Sequence, residues 1–208
     1  MRPLTDTMPK PLISVRGKPL VEHHITALKS TGIHDFVINL GWLGEKIRVH
    51  LGNGTKLGVK IEYSEEGWPA LGTGGGIFRV LPLLGDEPFA VVNGDIYVEF
   101  DWARLAASPL EGLAHLVLVP NPSHNRKGDF GLVNGRVIPF CAESYTFSGI
   151  SVLHPRLFES QTGGAFQLAP LLRDAALRGQ VSGELFNGLW SDVGTLERLQ
   201  ALENQPPA

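Results

Sequence analysis

Phe89-Ala-Val-Val-Asn-Gly-Asp95 is the stretch that decides the fold. Phe89 to Val92 is an apolar run without alternation, the pattern of a strand covered on both faces, as in a parallel sheet. Asn93-Gly94 breaks the run, and Asp95 is the first charged residue after it. The carboxyl ends of parallel strands form the edge at which α/β proteins bind ligands. Asp95 is therefore a candidate ligand-binding carboxylate, with a helix cap or turn former as its alternative role.

Working outward, strands and helices alternate. Pro19 suits a first helical turn, Leu20, Val21, His24, Ile25 and Leu28 recur at helical spacing, and Gly32 closes the element. Phe36 to Leu40 reads as a strand, a helix follows through Trp42, Ile47 and Leu51, and Val59 to Tyr63 reads as the next strand. Such alternation predicts right-handed crossovers and an α/β fold, a Rossmann-like, mostly parallel mixed sheet flanked by helices. Downstream, Asn134-Gly135 between two β-like arms predicts a hairpin. Tyr145 to Leu153 is a long strand interrupted at Ser148-Gly149, where an internal glycine marks close approach of ligand or backbone. A helix is expected from about Phe166 to Arg178, and Thr195 is placed to cap a last helix through Leu199 and Leu202. The expected organisation is one domain over residues 1–203 with a tail at 204–208.

Composition narrows the classes. The chain has 208 residues, 43% hydrophobic and 19% charged, with a net charge of −3 and a pI near 6.2. No basic block stands out, which argues against a nucleic-acid partner. No stretch reaches the ~18 apolar residues of a membrane span, and the start is not that of a signal peptide. The single cysteine, Cys141, suits a reducing compartment, so the expected location is cytoplasmic.

Further candidates flank the Asp95 stretch. Lys10 lies between Pro9 and Pro11 in an otherwise irregular start, where the prolines stiffen the backbone; it is either a fixed positive charge or a solvated surface lysine. Leu71-Gly-Thr-Gly-Gly-Gly76 opens a helix but lacks the P-loop ending and the dinucleotide spacing. Its glycines expose N–H groups to a ligand, or form a plain turn. His23 and His24 have no partner at metal-ligand spacing and read as structural.

Arg2-Pro-Leu-Thr5, Pro9-Lys-Pro11, Gly72-Thr-Gly-Gly75, Val92-Asn-Gly-Asp95, Phe147-Ser-Gly149 and Trp190-Ser-Asp-Val-Gly-Thr195, taken together and in this order, resemble the sugar-1-phosphate nucleotidyltransferases. Thr73-Gly-Gly-Gly-Ile-Phe78, Gly128-Asp-Phe130 and Thr146-Phe-Ser-Gly-Ile-Ser151 resemble the group that acts on N-acetylmuramate-1-phosphate with UTP in bacterial cell-wall recycling. The resemblance implies attack of a sugar-1-phosphate oxygen on the α-phosphate of a nucleoside triphosphate, with pyrophosphate leaving. It implies Mg²⁺ held by Asp95 and Asp192, an ion suited to carboxylate, phosphate and water oxygens. Read alone, Asp192 is equally a cap for the helix after Thr195.

By the same resemblance Lys10 pairs with phosphate oxygens. Gly72, Thr73, Gly74 and Gly75 lie against base and ribose, and Asn93 and Gly94 approach the nucleotide. Ser148 and Gly149 line the sugar side with Asp129, which is otherwise a solvated loop charge. Hexose-specific relatives carry Glu-Lys-Pro where this chain has Phe140-Cys-Ala-Glu-Ser144, so Glu143 is a partial substitute.

The family also begins with an apolar strand and a Gly-x-Gly-x-Arg loop ahead of a Met-x-Pro-Leu-Thr stretch, and here Met1 stands at that methionine. The expectation is that Met1 is internal to a longer product. The absent strand would lie beside the one ending at Asp95, and the 208-residue chain alone would be poorly soluble and inactive. The alternatives are GTP with mannose-1-phosphate, dTTP or UTP with glucose-1-phosphate, a non-catalytic nucleotide-sugar binder or regulatory subunit, and a glycosyltransferase. The Pro-Lys-Pro and Thr-Gly-Gly-Gly elements speak against the last.

Overall fold

The computed structural model describes residues 1–67 and 70–205. Of the expected tail, Asn204 and Gln205 are described, and 206–208 lie outside the described residues. In chain order the elements are α1 (Leu4–Thr7), β1 (Ser14–Val15), β2 (Lys18–Pro19), α2 (Leu20–Lys29), β3 (Asp35–Leu40), α3 (Gly44–Leu51), β4 (Lys60–Glu65), α4 (Gly72–Leu84), β5 (Phe89–Val92) and β6 (Ile96–Val98). They continue as α5 (Trp102–Ala107), β7 (Ala114–Val119), β8 (Gly131–Val133), β9 (Arg136–Ile138), β10 (Thr146–Leu153), α6 (Leu168–Leu177), β11 (Val181–Leu185), β12 (Trp190–Asp192) and α7 (Leu196–Glu203). The span read as one domain gathers into two compact units. The first comprises 1–66, 93–107 and 188–208, the second 67–92 and 108–187.

In the first unit, α2 buries Leu20, Val21, His24, Ile25 and Leu28, the one-sided stripe that its periodicity predicts. Val21 and Ile25 pack with Leu40, Ile47, Leu51, Val59 and Ile61 from β3, α3 and the β4 region. β3 and β4 pair in parallel around the α3 crossover, as a strand–helix–strand run requires. A second cluster joins Ile13, Val15 and Leu20 to Tyr97, Val193 and Leu202. It fastens β6, the segment after β12, and α7 to the start of the chain. The region read as irregular contains α1 and a 3₁₀ turn over Lys10–Leu12. The helix expected through Trp42 begins at Gly44, and Trp42 stands exposed ahead of it.

The second unit is built on one sheet of order β5-β10-β7-β11-β9-β8, with Leu116, Leu118, Leu153, Leu168 and Leu172 in its core. The fold is α/β with a mixed sheet flanked by helices, as the sequence indicates. The parallel share is smaller than expected. Only β7 and β11 pair in parallel in this sheet, and β10 runs antiparallel to both β5 and β7. The physical reason lies in the connections. Between β7 and β10 the chain carries the β8–β9 hairpin and no helix, so no crossover returns it in the same direction. That hairpin turns at Asn134 and Gly135, both at positive φ, as the Asn-Gly pair predicts. Among the described residues, β5 pairs only with β10 and β3 only with β4.

Candidate active site

The Asp95 stretch leaves β5 and enters the first unit at Asn93. There β6 and β12 pair antiparallel, with Asp192 opposite Ile96, Ser191 opposite Tyr97 and Trp190 opposite Val98. One further backbone bond, Val193 N–H to the Asp95 carbonyl at 2.8 Å, extends the ladder by a residue. The two candidate carboxylates therefore leave neighbouring backbones at one end of the β6–β12 pair. Lys10 pairs with the first of them: its Nζ donates to Asp95 Oδ2 at 2.8 Å. The lysine sits on a 3₁₀ turn in which Leu12 N–H donates to Pro9 O and Ile13 N–H to Lys10 O. A Cβ on Gly94 would lie 3.0 Å from Pro11 Cγ, so the glycine lets the Pro-Lys-Pro turn lie close.

Asp192 has its own cation. Arg198 Nη1 donates to both carboxylate oxygens, at 2.8 and 2.9 Å. The N-cap of α7 is Thr195, whose Oγ1 accepts the Arg198 N–H at 3.2 Å. The carboxylates are partly open, with side chains 36% exposed at Asp95 and 31% at Asp192. Among the described residues no three His, Cys, Asp or Glu side chains gather to hold a metal. Carboxylate oxygens are the donors that a hard divalent ion takes beside phosphate and water, so the residue types fit such an ion, while each carboxylate here accepts from a cationic side chain.

The other sequence candidates lie in the second unit. Gly74 and Gly75 are buried at the start of α4. Gly75 N–H donates to Phe166 O at 3.1 Å, and Phe166 N–H returns to Leu71 O at 2.9 Å. A Cβ on Gly75 would lie 2.4 Å from Gly164 O, and one on Gly74 2.5 Å from the Phe166 ring. The chain's own 163–167 segment lies close against both glycines. Gly72 is at positive φ and Thr73 is exposed.

Ser148 and Gly149 form a bulge where β10 shifts register against β7. Ser148 Oγ donates to Val117 O and accepts from Ile150 N–H, and Gly149 is at positive φ. Asp129 joins them: its Oδ2 accepts from Phe147 N–H at 2.9 Å and from Asn125 Nδ2 at 3.1 Å. It thus staples the bulge. Glu143 is exposed and accepts from the Tyr145 hydroxyl, a bond that raises the phenol pKa.

Residues 1–141 match the nucleotidyl transferase family. The chain belongs to that family. It is 46% identical to the N-acetylmuramate alpha-1-phosphate uridylyltransferase of Neisseria meningitidis serogroup B, over 96% of this chain and 90% of that protein. It is 30% identical to the protein of the same name from Caulobacter vibrioides, over 98% and 90%. Among solved structures, a Bacillus anthracis protein assigned as a glucose-1-phosphate thymidylyltransferase superposes with a TM-score of 0.86 over 98% of this chain and 88% of that one. At 22% identity that likeness shows the fold. The chain is thus an enzyme of the sugar-1-phosphate nucleotidyltransferase class.

In this transferase both histidines of α2 contact backbone carbonyls, His23 Nε2 lying 2.9 Å from Val15 O. His24 is 6% exposed, and its Nε2 lies 3.0 Å from the Ile96 carbonyl, which can only accept, so Nε2 carries the proton. His24 thereby anchors the residue after Asp95. Burial pushes its pKa down from 6.5 to about 4; His23 acts in the same direction, while the Ile96 bond and Asp95 oppose it. The unfolded chain binds this proton below pH 6.5 and the folded chain only below about 4. Stability from this group is thus full above 6.5 and is lost as pH falls through that window. Urea unfolding should show a loss of about 2 kcal/mol between pH 7 and pH 5 that is absent in His24→Gln. An equal loss in both proteins would exclude His24 as the cause.

Two contributors escaped the sequence reading. The 163–167 segment had a signal, since Gly163-Gly164 is a second cluster of small residues for Gly74 and Gly75 to pack against. Arg198 also had one: it stands three residues after the Thr195 cap, where a capping box has Glu or Gln.

Proposed function

We propose that the protein transfers a uridylyl group from UTP to N-acetylmuramate-1-phosphate, giving UDP-N-acetylmuramate and pyrophosphate, with Mg²⁺ held by Asp95 and Asp192. This places it in peptidoglycan recycling. The identity of 46% over nearly the whole length of a protein so named supports the substrate pair. Lys10, Asp95 and Asp192 around one end of the β6–β12 pair support the chemistry.

A sugar-phosphate oxygen forms a bond to the α-phosphorus while the bond to the bridging oxygen breaks and pyrophosphate departs. Negative charge crowds this reaction, so positioning and electrostatic stabilisation carry most of the catalysis. The ion, when bound, supplies positive charge against the phosphate oxygens. Lys10 exchanges Asp95 for a phosphate oxygen and holds it as a point charge. Asn93 and Gly94 then border the nucleotide. Gly72 and Thr73 are assigned to base and ribose. Gly149, Asp129 and Glu143 are assigned to the sugar side. The buried Gly74, Gly75 and Ser148 act by shaping the backbone around those residues.

Active protein given UTP should prefer N-acetylmuramate-1-phosphate to glucose-1-phosphate, because the lactyl carboxylate offers a group whose partners would otherwise stay unpaired. Equal or faster pyrophosphate release with glucose-1-phosphate would remove the recycling assignment and leave the class. Lys10→Ala should lower kcat/KM alike for every triphosphate accepted. A loss confined to one base would sink its phosphate role.

A further inference from the structure

Arg198 occupies a place that its own helix does not favour. It is the third residue of α7, and Thr195 accepts its N–H. That position usually holds Glu or Gln, and the partial positive charge at a helix N-terminus repels a cation there. Asp192 is one partner of the guanidinium, with both of its oxygens within 2.9 Å of Nη1.

Gly194 makes the room. A Cβ at 194 would lie 2.2 Å from Arg198 Nη2 and 3.1 Å from Cζ. Gly194 is not among the glycines at positive φ, so its backbone would accept alanine. The space a side chain would fill at 194 is the space the guanidinium takes. Two features of the Asp192 to Arg198 segment, the unfavoured basic residue and the vacant Cβ, thus serve the same pairing.

We propose that Arg198 is a built-in counter-cation of Asp192, which a divalent ion must displace, so that Arg198 sets the metal concentration at which the site fills. The inference rests on the reading of Asp192 as a metal-binding carboxylate. A metal ion near Asp192 meets a positive charge already bound to both oxygens, and its binding must loosen that pair. Arg198 is a positioning residue here: it acts through the carboxylate.

The test is a titration of the full chain with Mn²⁺ alone, without nucleotide, read by calorimetry and by the Mn²⁺ paramagnetic resonance signal. Arg198→Gln removes the competing charge. Gly194→Ala keeps the charge and pushes the guanidinium away. Arg198→Lys keeps the stem and the charge but loses the fork, which guards against a Gln variant that fails to fold. Both Arg198→Gln and Gly194→Ala should bind Mn²⁺ about three- to fivefold more tightly, the size of effect expected for a partly exposed pair. Arg198→Lys should fall between them and the wild type. Asp192→Asn should weaken binding about tenfold or more. Unchanged or weaker binding in the Arg198→Gln and Gly194→Ala proteins, with Asp192→Asn still weakened, would overturn the counter-cation and leave the metal reading intact. Unchanged binding in Asp192→Asn would overturn both.

Discussion

Asp95→Asn and Asp192→Asn should each lower turnover by about 10²–10³-fold at saturating substrates while the protein stays folded. The loss is large because the carboxylate charge is what an ion among phosphates requires, and an amide oxygen supplies only a dipole. The fold survives because β6 and β12 pair through backbone groups, and the Val193 bond uses the Asp95 carbonyl rather than its side chain. Each substitution leaves a basic partner, Lys10 or Arg198, beside a neutral amide. Those pairs are partly exposed, so the cost to stability should be about 1 kcal/mol or less. Steady-state rates over a Mg²⁺ series, set beside urea midpoints, separate the two effects. Near-wild-type turnover of either variant at limiting Mg²⁺ would remove that residue from the ion's coordination shell.

Gly75→Ala should destabilise the second unit by about 2–4 kcal/mol, the largest stability effect expected of a single added methyl group here. The new Cβ would meet the Gly164 carbonyl at 2.4 Å and Leu71 Cβ at 3.1 Å. Gly164 O belongs to the backbone, so relief requires moving the 163–167 segment. That movement would strain the bonds from Gly75 N–H to Phe166 O and from Phe166 N–H to Leu71 O. Thr73→Ala, two residues away on the exposed side, should change stability by less than about 0.5 kcal/mol. Urea unfolding of the pair checks this. A Gly75→Ala protein as stable as wild type, but impaired in nucleotide binding, would return that glycine to the ligand.

The contrast between these sites shows what the sequence makes legible. Strand ends and helix faces follow from local pattern, so Asp95 after Phe89–Val92 and the buried stripe of α2 were readable. The Asn134-Gly135 turn and the Thr195 cap were readable for the same reason, since each is decided within a few residues. Strand direction was less so. β10 lies antiparallel between β5 and β7 because of how distant segments pair, and no local period records that. The glycine run shows the limit most clearly. Its need for close approach was visible, but whether a ligand or the 163–167 backbone comes close depends on residues some ninety positions downstream. Ser148 is similar: the break in the strand was visible, while the use of its hydroxyl inside the bulge needs the position of Val117. Arg198 hid behind a helix start that satisfied every other rule.

Joining a nucleotide to a sugar phosphate leaves a countable pair of products. Its most direct measurement counts products when active protein is incubated with UTP, N-acetylmuramate-1-phosphate and Mg²⁺. Equal amounts of pyrophosphate and UDP-N-acetylmuramate are expected, with no orthophosphate and no release when either the sugar phosphate or the divalent ion is withheld. Nucleotide bound tightly with no pyrophosphate released would contradict it and mark a binding protein, and orthophosphate in place of pyrophosphate would mark a different bond broken.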